Sequence, residues 1–180
     1  MNYEQSKKWS DRFQPEIKAI LGVHLLAELP DEDRHRNTDL IVFTCGTTRI
    51  ACRVRRGTYA AAYTNEFTIR MERPSGAKSE LTKIVESWGD WLFYGFADET
   101  ENHIAQWFLG DLNVFRLWFT RYGYANAGKL PGTTHRNSDN SSSFLAIDRR
   151  HLPSEFIIAQ GEGIACVSDS LKYNSLANSA

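Results

Sequence analysis

"TDLIVFTCGTTRIACRVRR", residues 38–56, decides how the fold is read. Asp39 opens an apolar run over residues 39–44. A glycine-containing turn, "CGTT", follows, and residues 49–56 alternate apolar and mostly basic side chains. Two such runs about a short turn predict a pair of antiparallel strands. Strand side chains alternate between faces. Ile50, Cys52 and Val54 therefore point to a core, and Ala51, Arg53 and Arg55 line the opposite face, read as a cleft.

On the N-terminal side, Ile17, Ile20, Leu21 and Leu25 recur at helical spacing, with Pro15 in a first turn and Pro30 as a stop. This predicts one helix over residues 10–29. An acidic, polar loop over 31–37 joins it to Asp39.

On the C-terminal side, "GTYAAAYTN" is ambiguous between a loop and a short helical turn. Residues 66–71 ("EFTIRM") alternate as a third strand. Ser79 is placed to cap a helix reaching about Trp88, with Leu81, Ile84, Val85 and Trp88 on its apolar face. Residues 91–96 are apolar on both faces, as a central strand requires, and 104–109 form another strand. Asp111 is placed to cap a helix striped by Val114, Phe115, Trp118 and Tyr122, with Gly123 just past its end. A polar loop over 125–143 is expected to be mobile or to order on a ligand. "FLAID" is a strand, Asp148 caps the turn after it, and "EFIIA" is a last strand. The expected domain covers residues 1–160, with a loosely held tail over 161–180.

The chain has 180 residues, 42% hydrophobic and 24% charged, an ordinary globular balance with room for one sizeable core. The formal net charge of −1 excludes a uniformly basic coat, though not a local basic face. Arg49, Arg53, Arg55, Arg56, Arg70 and Arg73 gather mid-chain, while acids cluster at 28–33 and 98–101. Cys45, Cys52 and Cys166 show no CxxC spacing, and the five histidines show no ligand spacing. No signal-peptide pattern or membrane-length apolar run occurs, so a cytoplasmic protein is expected.

The order helix, three strands, helix, strand resembles the core of the PD-(D/E)XK nuclease superfamily over residues 10–118. The resemblance implies an α/β fold: a central mixed β-sheet flanked by helices, a restriction-endonuclease-like core (αβββαβ). It also implies a carboxylate opening the second core strand, a D/E-x-K on the next strand, an accessory glutamate on the first helix, and bound magnesium. Asp39 matches the first carboxylate and Glu16 the accessory acid. Arg53 stands where the acid belongs and Arg55 where the lysine belongs. A guanidinium stays protonated and cannot ligate a metal, but it binds phosphate well.

In this superfamily the acid and lysine also occur on the following helix. Glu80 and Lys83 lie there one turn apart, giving a migrated set of Asp39, Glu80, Lys83 and Glu16, with Asp39 and Glu80 as magnesium ligands. The less specific reading of Glu80 is a favourable charge in a helix first turn.

Tyr59 and Tyr63, beside the arginines, are candidates for base or sugar contact, together with Arg53, Arg55 and Arg70 for phosphate. The other aromatics fit a core. The phrases "FTIR", "RPSGAKSEL", "SWGDWLFYG" and "DLNVFR" are similar to those of small uncharacterised phage and prophage proteins. The expected function is nucleic-acid binding, DNA rather than RNA, with magnesium-dependent endonuclease activity if the migrated site is complete. The alternative is a non-catalytic phage protein that inhibits a host protein, for example a defence component.

Overall fold

A computed structural model of the chain describes residues 3–22, 25–27, 40–43, 47–72, 76–137 and 142–162. The strands are β1 (Leu25–Ala27), β2 (Leu40–Phe43), β3 (Thr47–Arg55), β4 (Glu66–Glu72), β5 (Trp91–Ala97), β6 (Ile104–Asp111), β7 (Thr133–Arg136), β8 (Ser143–Asp148) and β9 (Ile157–Glu162). The helices are α1 (Tyr3–Asp11), α2 (Gln14–Leu21), α3 (Ala60–Tyr63), α4 (Glu80–Val85) and α5 (Leu112–Ala125).

The strands make two sheets, six-stranded sheet A in the order β1-β2-β3-β5-β6-β9 and three-stranded sheet B in the order β4-β8-β7. The opening hairpin is present, with Leu40 opposite Ile50 and Phe43 opposite Thr47. Beyond it β3 and β5 pair in parallel, Arg53 beside Tyr94. A parallel pair needs a crossover, and the chain supplies it through α3, β4 and α4. The third expected strand, β4, therefore leaves sheet A and pairs with β8 in sheet B. The architecture is α/β, a mixed sheet and an antiparallel sheet flanked by helices.

The single helix expected over 10–29 is corrected to two helices and a strand. Pro15 lies in the first turn of α2, and Gly22, at φ 86°, ends it. A glycine tolerates that left-handed conformation where a side chain would strain it. Leu25, read as part of the helical stripe, instead pairs with Val42 across sheet A. The loop expected over 125–143 contains β7, which pairs with β8. α5 runs past Gly123 to Ala125, and α4 ends at Val85 rather than near Trp88. All three predicted caps are present: the Ser79 hydroxyl accepts from the Thr82 N–H at 3.1 Å, Asp111 from the Asn113 N–H at 2.7 Å, and Asp148 from the Arg150 N–H at 2.9 Å. β9 continues through Glu162, with Gly161 opposite Trp107.

The central strands of sheet A, β3, β5 and β6, are covered on both faces. On one, Ile50, Val54, Phe93 and Leu109 meet Phe13 and Ile17 of the α1–α2 segment. On the other, Ala51, Leu92, Tyr94 and Phe108 meet Phe67 and Ile69 of β4, Leu145 and Ile147 of β8, and Phe115 of α5. Phe67 sits at the centre of that second core. Its ring lies 5.5–6.2 Å from those of Tyr94, Phe108, Phe115 and Phe156. Burying such a side chain contributes about 3–5 kcal/mol by the cost of truncating it to alanine. No helix is long and apolar enough to cross a membrane among the described residues.

Candidate nucleic-acid interface

The alternation along β3 is as the sequence reads, but the face opposite Ile50 and Val54 is not open. Ala51 is buried in the interlayer core, and Arg53 enters the same layer from its edge. The Arg53 guanidinium donates to the Thr68 carbonyl at 3.2 Å and the Thr68 hydroxyl at 3.3 Å. Its other terminal nitrogen forms an ion pair with Glu80. The Tyr94 hydroxyl, itself buried, lies 3.2 Å from the Thr68 hydroxyl and accepts from the Thr68 N–H. Glu80 also accepts from the backbone N–H of Arg70 at 3.0 Å. A polar chain from Tyr94 through Thr68 and Arg53 to Glu80 thus ties β5, β4, β3 and α4 together.

Arg53 is a structural side chain here. Its charge is matched by a carboxylate whose side chain is only 8% exposed. A buried pair of this kind is held in place because breaking either half leaves the other half charged and poorly solvated.

The two described acids of the predicted set do not meet. Glu16 projects from α2, on the opposite side of sheet A, and both its oxygens accept the Ile104 N–H at 3.0 Å. Glu80 and Lys83 lie on α4, both buried, packed against the interlayer core. Asp39 lies outside the described residues, so its distance from Glu80 is not part of this geometry. Among the described residues, no group of three or more His, Cys, Asp or Glu side chains is placed to hold a metal ion. Glu80 and Glu16 thus have separate partners, Glu80 the Arg53 side chain and the Arg70 N–H, Glu16 the Ile104 N–H.

Arg55, two residues along β3, behaves differently. Its guanidinium lies 4.4 Å from the centre of the Tyr59 ring. After the strand, Gly57–Tyr59 make a 3₁₀ turn that leads directly into α3. Tyr59 and Tyr63 are four residues apart and so share a face, with ring centres 6.2 Å apart. They are 41% and 42% exposed. The turn is pinned from below: a Cβ at Gly57 would lie 2.5 Å from the Asp98 carbonyl oxygen, so only glycine fits this approach. The result is an array at the C-terminal end of β3 in which a half-buried Arg55 lies beside two exposed tyrosines.

The neighbouring arginines are engaged elsewhere. Arg56 binds Glu101 at 2.6 Å and lies 4.9 Å from the Trp9 ring. Glu101 also accepts from the Trp9 indole at 2.8 Å and pairs with Arg12. Partial burial pushes the Glu101 carboxyl up. The hydrogen bonds from Trp9 and Arg56 and the charges of Arg56 and Arg12 outweigh that and leave it below its ordinary value. Part of the acidic cluster at 98–101 is thus a clasp joining α1 to the end of β3. Arg70 is half-buried on β4; Arg73 lies outside the described residues.

Sequence reading did not single out Arg149, which follows β8 and lies over the Phe108 ring at 5.2 Å. The signal was present in "DRRH": Asp148 caps the turn and takes Arg150, which leaves Arg149 to turn the other way.

No protein-family model, no curated protein and no solved structure matches this chain.

Proposed function

We propose that the protein binds single-stranded nucleic acid, DNA in the first instance, on the face formed by Arg55, Tyr59 and Tyr63. The observation that carries this reading is the pair of exposed tyrosines with the Arg55 guanidinium beside them. Tyrosine rings stack on unpaired bases at about 1–3 kcal/mol per base, and an adjacent guanidinium without an ion-pair partner among the described residues suits the phosphate between them. A helix and three antiparallel strands of sheet A are followed, after the crossover through α3, β4 and α4, by a strand parallel to the third. This supports a PD-(D/E)XK-like core in which β3 is the strand that carries the acid and lysine in the superfamily.

In this reading Arg53 and Glu80 hold the scaffold and the protein binds without cutting. Magnesium-dependent cleavage would rest on Asp39, which lies outside the described residues, acting with Glu80. A nicking assay with magnesium or manganese on single- and double-stranded DNA and RNA separates the two. The proposal expects binding and no cleavage, and cleavage abolished by Asp39→Ala would replace it with an endonuclease. Binding is tested with Tyr59→Ala plus Tyr63→Ala, which is expected to weaken affinity for a short oligonucleotide by roughly tenfold or more.

The second reading, a non-catalytic phage-encoded inhibitor of a host protein, draws on a different surface. An apolar groove of about 500 Å³ runs along α5 between Leu117, Trp118, Tyr122 and Pro153, and Leu117 is 60% exposed. A protein captured through this groove, with no nucleic-acid affinity, would favour it.

A further inference from the structure

We propose that the protein binds a small ligand bearing an oxyanion, phosphate or carboxylate, in the cleft beside Arg149 where sheet A extends beyond sheet B. The cleft holds about 490 Å³, within the ~300–1,000 Å³ typical of small-molecule sites. Its floor is set by strand register. Gln106 of β6 pairs with Glu162 of β9, and Phe108 with Gln160. Directly opposed residues share a face, so all four side chains present to the same side. Thr64 and Arg149 form the walls.

Arg149 is fixed rather than loose. Its backbone N–H donates to the Asn65 carbonyl at 2.8 Å, and its guanidinium donates to the Gln160 side-chain oxygen at 2.9 Å while covering Phe108. The nearest acid in sequence, Asp148, is turned to Arg150, with contacts of 2.9 and 3.0 Å. Among the described residues no carboxylate is hydrogen-bonded to Arg149. Burial pushes its guanidinium down, against the pull of the Asp148 charge.

The hydrogen-bond inventory of the cleft then has a definite sense. Arginine only donates, so Gln160 must turn its oxygen to Arg149 and its NH₂ away from it. The Gln106 oxygen is taken by the Thr64 hydroxyl at 2.9 Å, which frees its NH₂ in the same way. Two amide donors and the remaining guanidinium N–H groups thus share one cleft, with both amide oxygens already engaged. Such a site takes an acceptor-rich, negatively charged group. Glu162, at the rim, selects for a ligand that also carries an N–H or O–H donor. A nucleoside monophosphate and inorganic phosphate have both features, and succinate supplies the oxyanion alone.

The site is separate from the tyrosine face, although Thr64 follows Tyr63 and the two adjoin. Isothermal titration of the full chain with inorganic phosphate, a nucleoside 5′-monophosphate and succinate tests it. At least one is expected to bind at about millimolar Kd or tighter. Arg149→Gln is expected to weaken that binding roughly tenfold or more, Arg149→Lys is expected to restore part of it, and Tyr59→Ala is expected to leave it unchanged. Gln160→Leu, which keeps Arg149, is the control should Arg149→Gln fail to fold, and is also expected to weaken binding. No binding of any probe at about 10 mM, or binding indifferent to both Arg149→Gln and Gln160→Leu, would overturn the proposal. Neither result bears on the oligonucleotide assay.

Discussion

Replacing Arg53 by methionine separates scaffold from interface. Methionine keeps most of the apolar stem and removes the guanidinium, so packing changes little while Glu80 loses its ion-pair partner. Glu80 would then keep only the Arg70 N–H among its hydrogen bonds described above, inside a layer where its side chain is 8% exposed. Breaking a buried pair costs about 3–5 kcal/mol. The Arg53 side chain is 26% exposed, so water screens part of the interaction, and the lower end, about 3 kcal/mol, is the expected loss. For a chain of this size that lowers Tm by roughly 6–12 °C.

The assay is urea and thermal unfolding of Arg53→Met, Glu80→Gln and the double variant. The double variant is expected to be more stable than the summed single losses by about 1 kcal/mol or more, the mark of a direct pair. Oligonucleotide affinity of folded Arg53→Met is expected to stay near wild type. If Arg53→Met unfolded within about 0.5 kcal/mol of wild type, the range of ordinary surface substitutions, the structural role given to Arg53 would be wrong.

Three further outcomes are expected. Gly57→Ala places a Cβ 2.5 Å from the Asp98 carbonyl oxygen; it is expected to destabilise the protein by about 1–3 kcal/mol and, by shifting Tyr59, to weaken oligonucleotide binding as well. The hydrogen bond from Arg150 lowers Asp148 from 3.8 to about 2. A carboxyl depressed in the folded state adds stability above its unfolded value and loses it as pH falls through the folded value. Acid unfolding followed by circular dichroism is therefore expected to show Asp148→Asn with less stability to lose between about pH 4 and pH 2. Phe67→Ala is expected to cost about 3–5 kcal/mol, read by urea unfolding, because Phe67 packs against four aromatic rings at the centre of the interlayer core.

Much of the fold is legible where side chains alternate or cap. "IACRVRR" announces its two faces, the apolar run at 91–96 announces a strand covered on both, and Ser79 and Asp111 announce their helices. β1 was hidden because Leu25 continues a helical stripe, and Gly22 was the only mark of a break. β7, "TTHR", has exposed residues and no apolar alternation, so its pairing with β8 decides its conformation. The site was half legible. Alternation places Arg53 and Arg55 on one face, but periodicity does not say what covers that face. Sheet B reaches Arg53 through Thr68, whereas Arg55 meets Tyr59. The superfamily resemblance made Glu80 a candidate metal ligand; in the structure it pairs with an arginine 27 residues earlier, which spacing along one helix does not reveal. Asp39 lies outside the described residues.

The salt dependence of oligonucleotide binding tests the central claim most directly. Each phosphate neutralised on a single strand contributes about −0.7 to the slope of log K against log salt. Arg55→Ala is expected to reduce the magnitude of the slope by about that one contact and to weaken binding, while Arg53→Met leaves the slope at its wild-type value. An unchanged slope in Arg55→Ala, or an equal loss of slope in folded Arg53→Met, would contradict the division between the arginine that holds the fold and the arginine that meets the ligand.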